Sequence, residues 1–387
     1  MSVRLGNSSL LSPYEALRLS LASPRCSLNT IQDRLFGTSA ISFPRRIVLH
    51  LANRCNFACP MCSIGEARAE RQKEHRGDAP WEVVERTIEE AGKHGCYVEP
   101  LGGEPTLYNR LGDTIALLTK YRLPSFITTN GFNLKDRARE MVDSGLKVLL
   151  ISMDGWDEDS SYQRGLVPGS FDAIREGIAE VNRLRRGVFP IVRICSVTTK
   201  ANCHHFDQIA DAVYAMGVRR WAIQNYFFMT DEAMSAHRQL KSETGIGDRV
   251  MQQHIPGDNS YFTPEEVAAL RESLSKTRAK LSGPYRDMRV EFDWNLNLDD
   301  YYSPKWPAQS SSCALPFDRV DVYPDGHIAS CGDAHTVGNV LSGTISEAWN
   351  GTERRRLLEL LGRRRVLPMC FRCCGMMGDM KFDAGTG

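Results

Sequence analysis

A short apolar run leads directly into three closely spaced cysteines in the sequence RIVLHLANRCNFACPMC, residues 46–62. The apolar run, at residues 47–51, predicts a buried strand. Cys55, Cys59 and Cys62 follow in one short loop, so their thiolates can converge on one soft metal centre. Three thiolates leave a four-iron cubane one ligand short, and the open iron can bind a small molecule. A zinc knuckle is the alternative, but structural zinc normally has four protein ligands and only one histidine lies nearby.

The alternation of apolar strand-like runs and helical runs continues to about residue 224. Six runs predict strands, at residues 47–51, 97–101, 125–129, 148–152, 188–197 and 218–224. Five stretches between them predict helices, at residues 81–94, 111–122, 134–144, 171–185 and 205–216. Asp78 predicts the N-cap of the first helix and Gly95 its end. We therefore expect an α/β fold, a partial (β/α)6 TIM-like barrel of parallel strands with its chemistry at their carboxyl ends.

Composition limits the cell compartment and the classes of binding partner that we expect. The 387 residues include 48 Lys and Arg against 47 Asp and Glu, a net charge of +1 that argues against nucleic acid as the main partner. No apolar run approaches the ~18–20 residues needed to cross a bilayer, and the first 25 residues contain no signal-peptide core. These features predict a cytoplasmic protein without membrane contact. In that reducing setting we do not expect the twelve cysteines to form disulfides.

Three successive predicted strands end in polar or glycine-rich sequences. Gly102-Gly103-Glu104-Pro105 closes the second strand, residues 128–131 (TTNG) close the third, and residues 152–155 (SMDG) close the fourth. A single Gly-Gly pair is usually only a turn. Three such endings at neighbouring strand ends predict one rim where backbone groups can meet a polar ligand.

With these motifs in place, the sequence resembles the radical S-adenosylmethionine (radical SAM) superfamily from about residue 46 to residue 224. The triple-cysteine loop after the first strand and GGEP after the second carry the resemblance. It implies that Cys55, Cys59 and Cys62 hold a [4Fe–4S] cluster whose free iron chelates the amino and carboxylate groups of S-adenosylmethionine. The sequence departs from the family pattern at Met61, where an aromatic residue is common, and at Leu101, where a small hydroxyl residue is common.

The resemblance also assigns contacts to the nucleoside. It places Gly102, Gly103 and Glu104 at the methionine amino group. Asn130 and Ser152 would meet the ribose and carboxylate. Arg164 would pair with the methionine carboxylate, or else is an ordinary surface arginine.

A second group of cysteines lies in the last quarter of the chain. It resembles the SPASM extension of radical SAM enzymes in a short, twitch-like form, which implies a second, auxiliary [4Fe–4S] cluster. The expected ligands are Cys313, Cys331, Cys370 and Cys373. Cys374 competes with Cys373 for the last position, and a four-cysteine zinc ribbon is the alternative.

Between the two cysteine groups the pattern changes. Residues 229–262 have little periodicity and predict an insertion or connecting loop. Thr263-Pro264-Glu265-Glu266 is a capping box that begins a helix, and residues 317–323 and 327–331 predict two strands joined by a Pro-Asp-Gly turn. The expected domains are an N-terminal extension (1–45), the barrel (46–228), a connecting insertion and helix (229–310) and an auxiliary cluster domain (311–387).

Four cysteines belong to neither group: Cys26, Cys96, Cys195 and Cys203. Buried structural thiols are the default interpretation. Cys195 shares one face of the fifth strand with Arg193 and Val197 by the two-residue period. If that face lines the barrel, Cys195 could return a hydrogen atom to a substrate radical, as an epimerase requires.

The family chemistry implies reductive cleavage of S-adenosylmethionine to a 5′-deoxyadenosyl radical that abstracts hydrogen from a substrate. With an auxiliary cluster as electron acceptor, the net reaction would be a two-electron oxidation. We expect dehydrogenation of a small polar metabolite such as a sugar or cyclitol. The alternative is crosslinking or epimerisation of a ribosomally made peptide, weakened because only about 45 residues precede the barrel. A non-enzymatic metal protein is a third hypothesis, which is disfavoured because three cysteines leave a coordination position of the cluster open. The expected redox partner is an electron donor such as flavodoxin or ferredoxin.

Overall fold

Strands and helices alternate along most of the chain. The computed structural model describes residues 12–29, 42–62, 77–247, 253–254, 261–303, 315–331, 335–370 and 372–373. The strands are β1 (Arg46–Ala52), β2 (Tyr97–Gly102), β3 (Phe126–Thr129), β4 (Val148–Ser152), β5 (Ile191–Val197), β6 (Arg220–Gln224), β7 (Phe228–Met229), β8 (Gln253–His254), β9 (Arg289–Glu291), β10 (Arg319–Val322), β11 (His327–Ser330) and β12 (His335–Asn339). The helices are α1 (Pro13–Ala22), α2 (Trp81–His94), α3 (Leu111–Lys120), α4 (Leu134–Asp143), α5 (Glu158–Gly165), α6 (Ser170–Leu184), α7 (Phe206–Ala215), α8 (Asp231–Thr244), α9 (Pro264–Ser282), α10 (Leu298–Tyr302), α11 (Ile345–Asn350) and α12 (Thr352–Arg364). No described helix combines the length and apolar character that crossing a bilayer requires.

Two five-stranded sheets meet where β2 lies beside β3. One sheet has the order β12-β11-β10-β1-β2 and the other β3-β4-β5-β6-β9. A parallel bridge between Val98 and Ser125 joins them. From β10 through β1 to β9 all neighbouring strands run parallel, which confirms the predicted α/β fold with a partial barrel. In the part of the chain described above, the strands do not close into a ring.

The cysteine-rich C-terminal part extends the barrel sheet. β10 pairs in parallel with β1, with Arg46 opposite Arg319 and Leu49 opposite Val322. β11 and β12 then add antiparallel neighbours. Strand β1, which leads into the triple-cysteine loop, therefore lies between β2 and β10 and is buried from Ile47 onward.

The N-terminal helix α1 covers the amino ends of two barrel strands. Ser12 caps it in a capping box with Glu15, and Glu15 also accepts a 2.7 Å hydrogen bond from Arg220 at the start of β6. Leu19 packs on Ile191 at the start of β5. Burial raises the pKa of Glu15, but hydrogen bonds from Ser12 and Arg220 outweigh it and lower the pKa overall.

The segment at residues 229–262, predicted as an insertion or connecting loop, contains helix α8, so a plain loop is wrong for its first half. Helix α8 has Thr230 as N-cap and ends at Gly245, whose φ of 71° suits glycine. Its buried positions are Ala233, His237 and Leu240, and two of these three side chains are small or polar. The helical period was therefore hard to see in the sequence. Residues 248–252 and 255–260 lie outside the described part.

One predicted cap is also corrected, while a second is confirmed. Asp78 does not cap α2, whose N-cap position is Pro80 without a side-chain hydrogen bond. Asp78 instead accepts two hydrogen bonds from Arg54, at 3.0 and 2.8 Å. The capping box predicted for α9 is present, with the Thr263 side chain accepting from the Glu266 backbone.

Candidate active site

The triple-cysteine loop is held directly against the GGEP loop. The Gly103 N–H donates to the Ala52 carbonyl at 2.7 Å, and the Glu104 N–H donates to the Arg54 carbonyl at 3.0 Å. A Cβ atom on Gly103 would lie only 2.3 Å from the Arg54 carbonyl oxygen. Glycine is therefore required here because the backbones of the two loops touch.

The three thiols of this loop are partly exposed. The Phe57 N–H donates to the Cys55 sulfur at 3.4 Å, and the Asn130 amide lies 3.9 Å from the same sulfur. The Cys62 N–H donates to the Cys59 carbonyl at 3.1 Å, which turns the loop back on itself. Burial raises the pKa of Cys59 to about 12, with Arg164 opposing the shift.

The donor set fits an iron–sulfur cubane better than a single metal ion. Within the described ranges, no three His, Cys, Asp or Glu side chains converge closely enough to hold one ion. A cubane binds each thiolate through a different iron, so its ligands need not meet at one point as they do around zinc. N–H donors aimed at a sulfur also stabilise a thiolate ligand.

Glu104 joins two neighbouring loops of the rim. Its carboxylate is buried and accepts hydrogen bonds from the Thr106 N–H at 3.0 Å, the Thr106 and Thr129 hydroxyls at 2.6 Å each, and the Asn130 N–H at 2.7 Å. Burial raises its pKa, although these hydrogen bonds favour the ionised form. Because both carboxylate oxygens are engaged inside the protein, the Glu104 side chain acts as a brace between the rim loops.

Arg164 is a partly buried ion-pair partner, with 15% of its side chain exposed. Its guanidinium contacts the carboxylate of Asp154, which is buried and also accepts a 2.7 Å hydrogen bond from the Val197 N–H. Burial alone would lower the pKa of Arg164, but the charges of Asp154, Cys59 and Cys195 raise it. The guanidinium therefore lies within electrostatic range of both the cysteine loop and strand β5.

Cys195 lies on the inner side of the sheet. It packs with Leu150 of β4 and Ala222 of β6 in a small cluster separate from the main core, and it is paired with Ser152 in the β4–β5 register. Cys26, Cys96 and Cys203 are buried in the main core, as the default interpretation predicted. Of these four thiols, Cys195 is the one placed beside the candidate site.

The inner face of the sheet also carries opposed charges. Arg46 contacts Glu99 across β1 and β2, and Arg193 lies 3.6 Å from Glu291 across β5 and β9. The pair of Arg193 and Glu291 is largely shielded from solvent, and charges interact strongly in such an environment.

Of the expected auxiliary ligands, Cys331, Cys370 and Cys373 are described. Cys331 and Cys370 contact one apolar cluster formed mainly by α8, α12 and the turn after α12. The Cys373 N–H donates to the Cys370 carbonyl at 3.2 Å, which closes the C-x-x-C turn. Cys313 and Cys374 lie outside the described residues.

Family models match both cysteine-bearing parts. A model of the radical SAM superfamily matches residues 49–212, and a model of an iron-sulfur cluster-binding domain, SPASM, matches residues 313–374. A probable GTP 3′,8-cyclase from Thermoplasma volcanium is 31% identical over 264 residues, which are 65% of this chain and 75% of that protein. This chain belongs to the radical SAM superfamily. The radical SAM domain implies a [4Fe–4S] cluster and S-adenosylmethionine. The SPASM domain implies auxiliary iron–sulfur clusters.

Other radical SAM proteins align over more of the chain. A PqqA peptide cyclase from Rhizobium meliloti is 22% identical over 318 residues, covering 79% of this chain and 73% of that protein. The crystal structure of Streptococcus suis SuiB bound to the precursor peptide SuiA has a TM-score of 0.58 at 18% identity, covering 89% of this chain and 71% of that one. The first curated relatives, probable GTP 3′,8-cyclases from Halobacterium salinarum, are 31% identical over 183 residues, 46% of this chain. The chain spans about half, 49%, of their length.

Sequence reasoning missed two residues of this radical SAM site. Asp154, the partner of Arg164, was quoted within SMDG but was given no role. Thr129, which donates to Glu104, was likewise quoted only as part of TTNG. The signal for Asp154 was available, because an acid and a base lie ten residues apart around one short turn and helix α5.

Proposed function

We propose that this radical SAM enzyme modifies a peptide, either by forming a crosslink through a two-electron oxidation or by inverting a stereocentre without net oxidation. The observation that carries the proposal is the extent of the peptide-cyclase match. It runs over 318 residues, so it extends well beyond the radical SAM match at residues 49–212. A fold neighbour that binds its precursor peptide adds support. The proposal favours peptide modification over the oxidation of a small metabolite that the sequence suggested first.

We assign the radical SAM cluster to Cys55, Cys59 and Cys62. When bound, the cluster and S-adenosylmethionine supply hydrogen-atom abstraction from an unactivated carbon. The chain's contribution is to hold and orient these groups. The backbone groups of Gly102 and Gly103 in the GGEP loop are proposed to contact the methionine amino group.

The remaining rim residues fix the shape of the nucleoside site. Asn130 and Ser152 are proposed to contact the ribose and carboxylate. Glu104 fixes the GGEP loop against the TTNG loop through its four hydrogen bonds. Arg164, oriented by the buried Asp154, is proposed to place a partly buried positive charge at the methionine carboxylate.

We assign the auxiliary cluster to Cys313, Cys331, Cys370 and Cys373, within a domain at residues 311–387. When bound, it supplies a one-electron acceptor, which an oxidation needs and an epimerisation does not. Cys195 is the candidate hydrogen-atom donor for epimerisation, because it lies on the inner face beside Ser152.

Dehydrogenation of a small polar metabolite is the second candidate. The charged pair of Arg193 and Glu291 on the inner face favours it, because this pair could recognise a hydroxyl-rich substrate. A peptide would instead need contacts along an extended length of backbone.

Anaerobic turnover separates the candidates. The protein would be incubated with a reductant, S-adenosylmethionine and either short peptides encoded beside its gene or a panel of sugars and cyclitols. Release of 5′-deoxyadenosine and the substrate mass would be followed together. A loss of two hydrogens from a peptide, or inversion at constant mass, supports peptide modification. Modification of sugars or cyclitols alone would overturn the proposal in favour of the second candidate.

The two-cluster assignment has its own test. Anaerobically prepared protein should contain about eight irons, four per cubane. Replacing Cys55, Cys59 and Cys62 by alanine should leave about four irons and abolish 5′-deoxyadenosine release. Full turnover by the triple variant would contradict the proposal that these three cysteines hold the cluster that cleaves S-adenosylmethionine.

A further inference from the structure

His50 and Asp321 form a buried pair on the inner face of the sheet, outside the proposed nucleoside contacts. The His50 Nε2 atom lies 3.3 Å from the Asp321 Oδ1 atom, and both residues are buried. Leu49 and Leu51 of β1 belong to the main core, so His50 points to the opposite, inner face by the two-residue period of a strand. Asp321 of β10 is related in the same way to Val322, which also belongs to the main core.

This pair lies at the end of β1 that leads into the triple-cysteine loop. His50 is opposite Leu101 in the β1–β2 register, next to the start of GGEP. Cys55, the first proposed cluster ligand, follows shortly after in the sequence. Cys195 occupies the inner face on β5, opposite Ser152 of β4. His50 is therefore on the face that would receive a substrate, at the strand end where the proposed cluster is held.

Arg319 keeps the Asp321 carboxylate ionised and in place. Its Nε donates to Asp321 Oδ2 at 2.9 Å, and an Nη atom donates to Oδ1 at 2.6 Å. Burial raises the pKa of Asp321, but the Arg319 charge and the hydrogen bonds from His50 and Arg319 outweigh it and lower the pKa overall. An ionised carboxylate only accepts hydrogen bonds. The hydrogen of a neutral His50 ring therefore lies on Nε2, which leaves the lone pair on Nδ1.

Aromatic stacking fixes the plane of the same ring. The centroids of the His50 and Tyr323 rings are 4.2 Å apart, and the ring planes differ by 9°. Tyr323 also stacks on His327, with centroids 4.3 Å apart. Among the residues that the structure describes, the His50 imidazole has Asp321 as its hydrogen-bond partner and no other. Nδ1 is thus a basic nitrogen in a fixed orientation that is left to a substrate.

We propose that His50 is a catalytic residue that accepts the proton released when the substrate is oxidised, and that Asp321 positions its ring. The inference rests on the oxidative form of the proposed function. Forming a crosslink breaks one C–H bond and one bond between hydrogen and the second reacting atom, and it joins the two atoms. One hydrogen leaves as an atom to the 5′-deoxyadenosyl radical. One electron passes to an iron–sulfur acceptor, and the remaining proton passes to Nδ1 of His50.

The protonated ring is stabilised where it forms. Its Nε2–H continues to donate to Asp321, so the new positive charge lies beside an ionised carboxylate. An aspartate behind a catalytic histidine holds the imidazole in one tautomer and stabilises the imidazolium. A positioned base of this kind contributes about 10²–10⁴-fold to a reaction rate.

The first test needs neither cluster nor substrate. The full chain would be prepared without iron and with 15N-labelled histidine, and long-range 1H–15N spectra would show which nitrogen of the neutral His50 ring carries hydrogen. The His50 signals would be assigned by their loss from His50→Gln. We expect hydrogen on Nε2 in the wild type and a reduced preference in Asp321→Asn, because a neutral amide accepts more weakly than a carboxylate. Hydrogen on Nδ1 in the wild type would overturn the proposal, and an Asp321→Asn spectrum identical to that of the wild type would overturn the role of Asp321.

The second test separates hydrogen-atom abstraction from loss of the proton. Anaerobic turnover of the wild type and His50→Gln would be followed with the peptides encoded beside the gene and with the panel of sugars and cyclitols. Glutamine keeps an amide that donates to Asp321 but has no basic nitrogen. We expect His50→Gln to release 5′-deoxyadenosine while the rate of oxidised product falls about 100-fold or more. An unchanged yield of oxidised product per 5′-deoxyadenosine would overturn the proposal.

His327→Gln is the matched control. His327 also pairs with an aspartate, with its Nδ1 atom 2.6 Å from Asp325 Oδ1, and it stacks on the same Tyr323 ring. It lies on β11, which β10 separates from β1. We expect the product yield of His327→Gln to match that of the wild type. An equal loss in His327→Gln and His50→Gln would overturn the proposal, because the effect would then come from the aromatic stack.

The outcomes also separate this proposal from folding and from the class of substrate. If urea unfolding of the iron-free protein shows that His50→Gln does not fold, the product yield of Asp321→Asn decides, and an unchanged yield there would overturn the proposal. Oxidation of sugars or cyclitols alone, with product lost in His50→Gln, would overturn the peptide proposal and support the role of His50, because these oxidations also release a proton. A wild type that only epimerises peptides would overturn the role of His50 and support the peptide proposal.

Discussion

Replacing Gly103 by alanine tests whether the GGEP loop positions the radical SAM cluster. The new Cβ would lie 2.3 Å from the Arg54 carbonyl oxygen and 2.7 Å from its carbonyl carbon. Comfortable contacts between such atoms need about 3.5 Å, so the two backbones must separate by roughly 1 Å. Both are main-chain segments, and no side-chain rotation can relieve the contact.

The separation acts on the two hydrogen bonds that join the loops. The Gly103 to Ala52 bond and the Glu104 to Arg54 bond would lengthen from 2.7 and 3.0 Å. Overpacking costs about 1–3 kcal/mol, and each weakened hydrogen bond adds up to about 1 kcal/mol. Because Arg54 directly precedes Cys55, the shift also displaces the first proposed ligand.

Two measurements check this expectation for Gly103→Ala. Urea unfolding of the cluster-free protein should show a free energy of unfolding lower by about 1–3 kcal/mol. Anaerobically prepared protein should lose iron toward about four per chain and lose the change that S-adenosylmethionine makes in the cluster's electron paramagnetic resonance signal. Gly362→Ala is the control: a Cβ there meets no atom within 4 Å, and alanine in helix α12 should be neutral or stabilising by up to about 1 kcal/mol. A Gly103→Ala protein with unchanged stability, iron content and nucleoside response would refute the positional role.

Three further substitutions test other parts of the site and fold. Glu104→Gln should lower the free energy of unfolding by about 1–3 kcal/mol in urea titrations, because one amide N–H₂ must face hydrogen-bond donors; an unchanged midpoint would contradict the brace. Glu15→Gln should destabilise the protein near neutral pH, where Glu15 is ionised in both states. Because folding lowers the Glu15 pKa, the difference between wild type and variant should shrink as pH falls from about 4.3 through the lowered value, and a constant difference from pH 7 to pH 3 would argue against the Arg220 contact. Cys195→Ala should abolish any epimerised product while 5′-deoxyadenosine is still released, and epimerised product from the variant would end the donor role.

The barrel strands could be predicted because each is a local apolar run followed by a helix. The predicted bounds of the first six strands and of the five predicted helices between them lie within three residues of the structure, but the short helix α5 was not predicted. Helix α8 was not predicted, because its buried face contains Ala233 and His237 and so lacks a clear apolar period in the sequence. The pairing of β10 with β1 was not predicted either. It joins residues more than 260 positions apart, and no local sequence pattern indicates it.

The candidate site divides in the same way between local and distant information. Cys55 and Gly103 were visible as motifs, because their chemistry depends on residue type and spacing. The four hydrogen bonds to Glu104 were not visible, since its donors come from two loops that meet only after folding. The family resemblance implied that the segment containing Glu104 meets the methionine amino group, and the structure adds that the Glu104 carboxylate braces two loops of the rim.

The shared sheet gives a physical reason to treat the two cysteine regions as one catalytic unit. β1 leads into the triple-cysteine loop, and its neighbour β10 leads into the hairpin that ends at Cys331. A second connection runs from the Thr198 hydroxyl through Tyr302 and Phe228 to Arg372. Close-packed strands and rings transmit displacement because interiors have little free space. Two connections therefore fix Cys331 and the turn from Cys370 to Cys373 relative to the inner face that carries Cys195, which is what the proposed transfer of an electron from the substrate to the auxiliary cluster requires.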